Sequence, residues 1–322
     1  MKKRALLMIL GLLAILLTAC GNDKPKINEK PYDDKQFLMG TYVQIRIYDD
    51  GKEAALKPAF KRVKELADKI TVNQEGSEID AIFDMAIGSI TSLWRIGFPD
   101  ARKPDQSEID QALKLVNYHE VEFNDSEKSV YLKEKGMKLD LGAIAKGYIT
   151  DEVVKVLKEK GVTTAIIDLG GNVYVMGHSP RGDQKEDWTV GIQDPNQARN
   201  VVLGSVPESN MSLVTSGIYE RYLEVDGKTY HHLFNPKTGY PFDNDIAGVT
   251  IISKKSIDGD GLSTAVFSMG VKEGTQYVES LKDTEAIFVT RDDKVYVTSG
   301  LKDVFELNKE AGYTMGNDKD LK

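Results

Sequence analysis

Three stretches of this chain set charged and hydroxyl-bearing residues at spacings that suit chemistry on phosphate. In Lys138-Leu139-Asp140-Leu141-Gly142-Ala143-Ile144-Ala145-Lys146-Gly147-Tyr148, a carboxylate leaves a short strand, small residues make a turn, and a lysine falls in the opening of a helix. Gly142 and Ala143 add almost no bulk, so backbone groups there can approach a ligand. A carbonyl freed at such a turn can ligate a hard cation, and Lys146 can neutralise phosphate as a flexible point charge. Neither the glycine spacing nor the ending fits a Walker loop. Composition alone is equally compatible with Lys146 as a solvated helix residue.

Ser256-Ile257-Asp258-Gly259-Asp260-Gly261-Leu262-Ser263-Thr264 opens a late helix. Asp260 and Thr264 lie one turn apart on one face, which suits an oxygen-liganded cation such as Mg²⁺. The alternative is helix capping by Asp258 or Asp260. The third stretch holds His231-His232 before Asn235-Pro236-Lys237-Thr238-Gly239. Neighbours on a strand point to opposite faces, so one histidine at most reaches a given site, where it could accept a proton. No zinc spacing surrounds the pair. Asp168-Leu169-Gly170-Gly171-Asn172 reads either as a glycine turn with exposed amides or as a plain hairpin turn. Ser216-Gly217-Ile218-Tyr219-Glu220-Arg221 puts a serine at a loop end before a strand; without a GxSxG elbow, a serine hydrolase is not expected.

The elements that must position these residues follow from periodicity. Val43, Ile45 and Ile47 alternate with polar neighbours as in a half-buried strand. Helical spacing recurs over 54–70, along Phe83, Ile87, Ile90 and Trp94, along Ile109, Ala112, Leu113 and Val116, and over 144–160. Residues 121–123 and 130–132 predict a hairpin across Asn124–Lys128, and 137–139 a short strand. Strands are expected at 164–168, 173–175, 188–192, 201–205, 220–225, 229–234, 247–252, 285–290 and 294–297, with helices at 261–270 and 273–281. Adjacent strand pairs interrupted by helices predict an α+β fold with mixed or antiparallel sheets in a single body.

The 322 residues carry 42 Lys+Arg against 50 Asp+Glu, a formal charge of -8. No basic run or finger motif offsets phosphate repulsion, so nucleic acid is not an expected partner. Lys2-Lys3-Arg4 followed by the apolar run Ala5–Leu17 has the layout of a secretory signal over 1–19. Small residues before Cys20 resemble the lipobox of bacterial lipoproteins, which implies acyl lipid on Cys20 and an extracytoplasmic, membrane-anchored product; the alternative is an ordinary signal with a chance cysteine. Cys20 is the single cysteine, so no intrachain disulfide or thiol-metal centre can form. Residues 20–36 read as lipidated cysteine and flexible tether, and 37–322 as the folded domain.

Taken together and in order, these segments resemble the bacterial FAD:protein FMN transferases, the ApbE-like flavin transferases. The resemblance rests on Met39-Gly40-Thr41, Phe83-Asp84 with Leu93-Trp94, Asp140 through Tyr148, Asp168 to Gly171, Ser216 to Arg221, His232 through Pro241, and Asp260 to Ala265. It implies Mg²⁺-dependent transfer of the FMN half of FAD to a threonine or serine hydroxyl of an exported or membrane-associated electron-transfer protein, with release of AMP. The implied metal ligands are the Ala143 carbonyl, Asp260 and Thr264. The implied FAD contacts are Met39, Asn73, Phe83, Asp84, Asp140, Lys146, Gly170, Gly171, Ser216 and His232. His232 is the favoured base and Asp260 the other catalytic group. The rival readings are an FAD pyrophosphatase giving FMN and AMP, and a non-catalytic extracellular flavin-binding lipoprotein. One departure stands out: the family normally carries a couple of dozen further residues where this chain passes directly from Ile82 to Phe83, and a real deletion there would remove a wall of the expected flavin cleft and put activity in doubt.

Overall fold

Alternation along Thr41–Asp49 buries Val43, Ile45 and Ile47 on one face of a strand, and the same pattern repeats across a large sheet. The structure, a computed structural model, describes residues 25–67, 84–181 and 186–321. Among the described residues the strands are β1 (Ile27–Leu38), β2 (Thr41–Asp49), β3 (Val121–Asn124), β4 (Ser129–Leu132), β5 (Ala165–Leu169), β6 (Asn172–Met176), β7 (Trp188–Gln193), β8 (Val202–Glu208), β9 (Met211–Gly217), β10 (Tyr222–Val225), β11 (Lys228–His231), β12 (Ile246–Ser253), β13 (Thr284–Thr290), β14 (Lys294–Val297), β15 (Glu306–Leu307) and β16 (Thr314–Met315). Nine of them form one sheet in the order β1-β2-β5-β6-β9-β12-β13-β14-β16. Its pairs are antiparallel except β14 with β16.

Helices cover one face of this sheet. Helix α1 (Leu56–Ala67) and the longer α4 (Ala145–Glu159) pack Phe60, Val63, Val153 and Leu157 on Val43, Ile45, Ile167 and Leu169. Helix α5 (Ser256–Glu279) lays Val266 and Phe267 on Val249, Ile251 and Phe288. The other face carries a three-stranded sheet, β15-β8-β7, whose Trp188, Ile192, Leu203 and Val206 meet Val175, Leu213, Ile252 and Ile287. A smaller cluster joins α2 (Gly88–Trp94), α3 (Gln106–Leu113) and the β10–β11 hairpin around the fully buried Trp94, whose ring N–H donates to the Gly239 carbonyl. The expected α+β class with mixed sheets and packed helices is what the chain adopts.

Several expectations shift. The expected tether over 20–36 gives way to structure from Ile27: residues 27–36 belong to β1, an edge strand in antiparallel register with β2. Charged side chains such as Lys30, Asp33 and Lys35 disguise it; an edge strand tolerates them, and Pro31 falls where the register shifts between Ile27 and Tyr32. Residues 137–139 make a single bridge, Ile87 to Lys138, in place of a strand. Val116 lies beyond the end of α3. The two late helices are one element broken at Gly270, whose φ of 78° only glycine adopts readily. Ser216 is not at a loop end; it lies inside β9, an interior strand of the large sheet. Among the described residues no helix is long and apolar enough to cross a membrane.

Candidate active site

Helix α4 begins at Ala145, directly after the small-residue turn, and the first turn of a helix leaves amides without intrahelical acceptors. The acceptor here comes from another helix. The Gly147 N–H donates to Asp260 Oδ2 at 2.7 Å. Gly147 has to be glycine, since a Cβ would overlap the Ser256 carbonyl where the two helices meet backbone to backbone. One turn further along α4, Asp151 returns the favour: its carboxylate accepts the Ser256 N–H at 2.8 Å and the Ile257 N–H at 3.0 Å. Each helix therefore starts on a carboxylate of the other. Neither Asp258 nor Asp260 caps its own helix, whose first amides go to Asp151; Asp260 caps α4 instead.

The first intrahelical bond of α4 runs from the Tyr148 N–H to the Ile144 carbonyl, so the Ala143 carbonyl lies one residue outside the helical ladder. It takes no backbone hydrogen bond among the described residues. The Thr264 hydroxyl, one turn beyond Asp260, likewise makes no hydrogen bond among them. Asp260 is 5% exposed. Burial pushes its carboxyl up to about 6, against the pull of Lys146 and of the Gly147 and Lys146 amides. No group of three His, Cys, Asp or Glu among the described residues could hold a metal. One carboxylate with neutral oxygens is instead the donor set of a hard cation that keeps waters and phosphate oxygens.

Lys146 is half-buried, and its ammonium forms no ion pair or hydrogen bond among the described residues. Its charge acts on both Asp260 and His232, which sets the three in one neighbourhood. Burial, then the Arg221 charge, hold His232 well below the usual histidine range, so the ring is neutral. Its Nδ1 lies 3.2 Å from the Arg221 carbonyl, which can only accept. Nδ1 therefore carries the proton and Nε2 keeps a free lone pair. His231 is occupied at both nitrogens: Nε2–H donates to the Phe242 carbonyl at 2.8 Å and Nδ1 accepts the Leu233 N–H. β11 ends at His231, so it is hydrogen bonding rather than strand alternation that leaves His232 alone with an available nitrogen.

Ser216 Oγ lies 2.8 Å from Ser263 Oγ, and Ser263 donates to the Asp260 carbonyl at 2.9 Å, so Ser216 is the donor to Ser263. The Gly170-Gly171 turn joins β5 to β6 with positive φ at both residues, a two-residue hairpin turn. Gly170 sits directly on the Thr41 side chain, which brings the Met39-Gly40 turn beside it, while Gly171 faces open space. Asp140 accepts the Thr91 hydroxyl at 2.7 Å and the Gly142 N–H at 2.8 Å, tying α2 to the turn before α4. Asp84 accepts the Ala86 and Tyr118 N–H groups. Both carboxylates thus shape backbone here. Asn73, Phe83 and Cys20 lie outside the described residues, as does the junction of Ile82 with Phe83. Two cavities of about 350 and 390 Å³ lie around Tyr296, at the other end of the sheet, and include none of these residues.

Sequence reasoning missed Asp151, Asn172 and Ser263. Asn172, fully buried beside the glycine turn, accepts the Thr150 hydroxyl of α4 and the Ser256 hydroxyl of α5 on one oxygen. Only the adjacency of Asn172 to Gly171 hinted at it; Asp151 reaches partners 105 residues away and has no local signature.

The profile of the ApbE family matches residues 80–288. An FAD:protein FMN transferase of Klebsiella pneumoniae (strain 342) is 35% identical over 304 residues, spanning 84% of this chain and 93% of the relative. One from Treponema pallidum (strain Nichols) is 29% identical over 350 aligned positions, 94% of this chain and 96% of the relative. That alignment is longer than the chain, so the relative carries stretches with no counterpart here. Among solved structures, the ApbE protein of Thermotoga maritima superposes with a TM-score of 0.74 at 27% identity, covering 85% of this chain and 99% of that one. The apo flavinyl transferase ApbE of Pseudomonas stutzeri shares the fold, with a TM-score of 0.70 at 23% identity.

Proposed function

Because this chain belongs to the ApbE family, we propose that it transfers the FMN moiety of FAD to a Thr or Ser hydroxyl of an acceptor protein and releases AMP. The observation that carries the reading is the Ala143 carbonyl, free of backbone hydrogen bonds among the described residues, at the turn before the Lys146 ammonium and the buried Asp260. Ala143, Asp260 and Thr264 would hold Mg²⁺. That ion would supply charge neutralisation on the diphosphate as its bridging P–O bond breaks.

The chain's own residues do the rest. Lys146, at the opening of α4, adds a positive charge where the phosphates sit, backed by the positive end of the helix. His232 Nε2 takes the proton from the acceptor hydroxyl as its oxygen bonds the FMN phosphorus, and AMP leaves with the electron pair of the broken P–O bond. The Arg221 carbonyl keeps the ring in the tautomer this requires. Met39, Gly170 and Gly171, with Asn73, Phe83, Asp84, Asp140 and Ser216, line or shape the FAD-binding side. Lipid on Cys20 would hold the enzyme on the extracytoplasmic face of the membrane, near exported electron-transfer acceptors.

The test incubates the soluble body with FAD, Mg²⁺ and a candidate acceptor domain. The expected outcome is flavin that stays on the acceptor through denaturation, one AMP per flavin, and loss of both on Asp260→Ala. Free FMN without labelled protein would replace transfer by pyrophosphate hydrolysis. Binding without turnover would favour a flavin carrier.

A further inference from the structure

The reciprocal helix caps contain a residue, Asp151, outside the implied cation ligands and FAD contacts. We propose that Asp151 is a positioning residue for the cation site: by fixing the start of α5 it keeps Asp260 on the Gly147 amide, at the turn that carries the Ala143 carbonyl. This rests on the cation assignment made above.

Both Asp151 oxygens are used, one on each of the first two amides of α5. Ser256, the first residue of α5, is held again through its hydroxyl, which donates to Asn172 and accepts from Ser212. All of these partners are buried or half-buried, so water is a poor substitute for a lost carboxylate. Asp260 follows Ser256 by one helical turn, and the direction of that first turn sets where its carboxylate falls against α4. Loosening the start of α5 lets that carboxylate leave the Gly147 amide, which no carbonyl of its own helix replaces. Asp151 thereby holds the one charged ligand of the proposed cation site in place. Polar groups behind a metal's direct ligands commonly change affinity by about 10–100-fold when removed.

The experiment measures Mg²⁺ affinity by calorimetry on the FAD-loaded protein, alongside thermal melting, for wild type, Asp151→Asn, Asp151→Ala and Asp260→Ala. Asp151→Asn keeps one acceptor oxygen and the shape of the side chain, so it should fold where alanine fails. The expected result is a Kd for Mg²⁺ raised about tenfold by asparagine and more by alanine, at a temperature where melting shows each variant folded. A Mg²⁺ affinity equal to wild type in folded Asp151→Asn, with only the melting temperature lowered, would overturn the proposal and leave Asp151 a structural cap. If Asp260→Ala itself binds Mg²⁺ like wild type, the cation assignment fails instead, and the two failures are told apart within one series.

Discussion

As the proposed cation ligand, Asp260 would carry two demands that oppose each other. Burial raises its carboxyl to about 6 from an ordinary 3.8, yet a cation ligand must be ionised. The folded, metal-free chain therefore holds the proton more tightly than the unfolded chain. From this group, stability is greatest below about pH 4 and is lost as pH rises through 6, a difference of roughly 3 kcal/mol at most. Mg²⁺ affinity should run the other way: constant above pH 6.5 and falling about tenfold per pH unit below 6, as the ion comes to compete with the proton. His232, held well below its usual range, stays neutral through that window and adds no second limb near 6.5. Titration calorimetry from pH 5 to 8 checks this; a Kd unchanged between pH 7 and pH 5 would contradict it. Asp260→Asn should flatten the pH dependence of melting while removing the ion.

At the scale of elements, the crossing of α4 and α5 depends on one missing side chain. Gly147→Ala puts a methyl group into the Ser256 carbonyl, so the helices must separate. Overpacking of this kind costs about 1–3 kcal/mol, offset by up to about 1 kcal/mol of helix propensity. The expected result is a lower urea midpoint together with weaker Mg²⁺ binding; a variant with an unchanged midpoint would show that the helices have room to spare. The same crossing shows what was legible in the sequence. The turn before Lys146, the helix it opens and the break at Gly270 follow from local residue types, because each is a local event. The partners of Asp151 and Asp260 are set by packing between distant segments, and nothing beside them in the chain announces it. β9 escaped notice for a related reason. Its Ser212 and Thr215 hydroxyls are satisfied by the Ser256 and Thr250 hydroxyls of neighbouring elements, so an interior strand reads as a polar loop. The tautomer of His232 is legible only once the Arg221 carbonyl is placed beside it.

For the whole molecule, the start of β1 at Ile27 sets a leash. If lipid sits on Cys20, seven residues of chain span from anchor to sheet, a reach of roughly 25 Å even when drawn out straight. The sheet is then moored close to the bilayer and cannot roam the space beyond it. Partners embedded in or hugging the same membrane fall within range, while freely diffusing ones must come to the surface. Inserting about 20 Gly/Ser residues after Pro25 should relax that preference, raising labelling of a soluble acceptor domain relative to a membrane-bound one in proteoliposomes. An unaltered ratio would mean that distance from the lipid plays no part in which proteins acquire flavin.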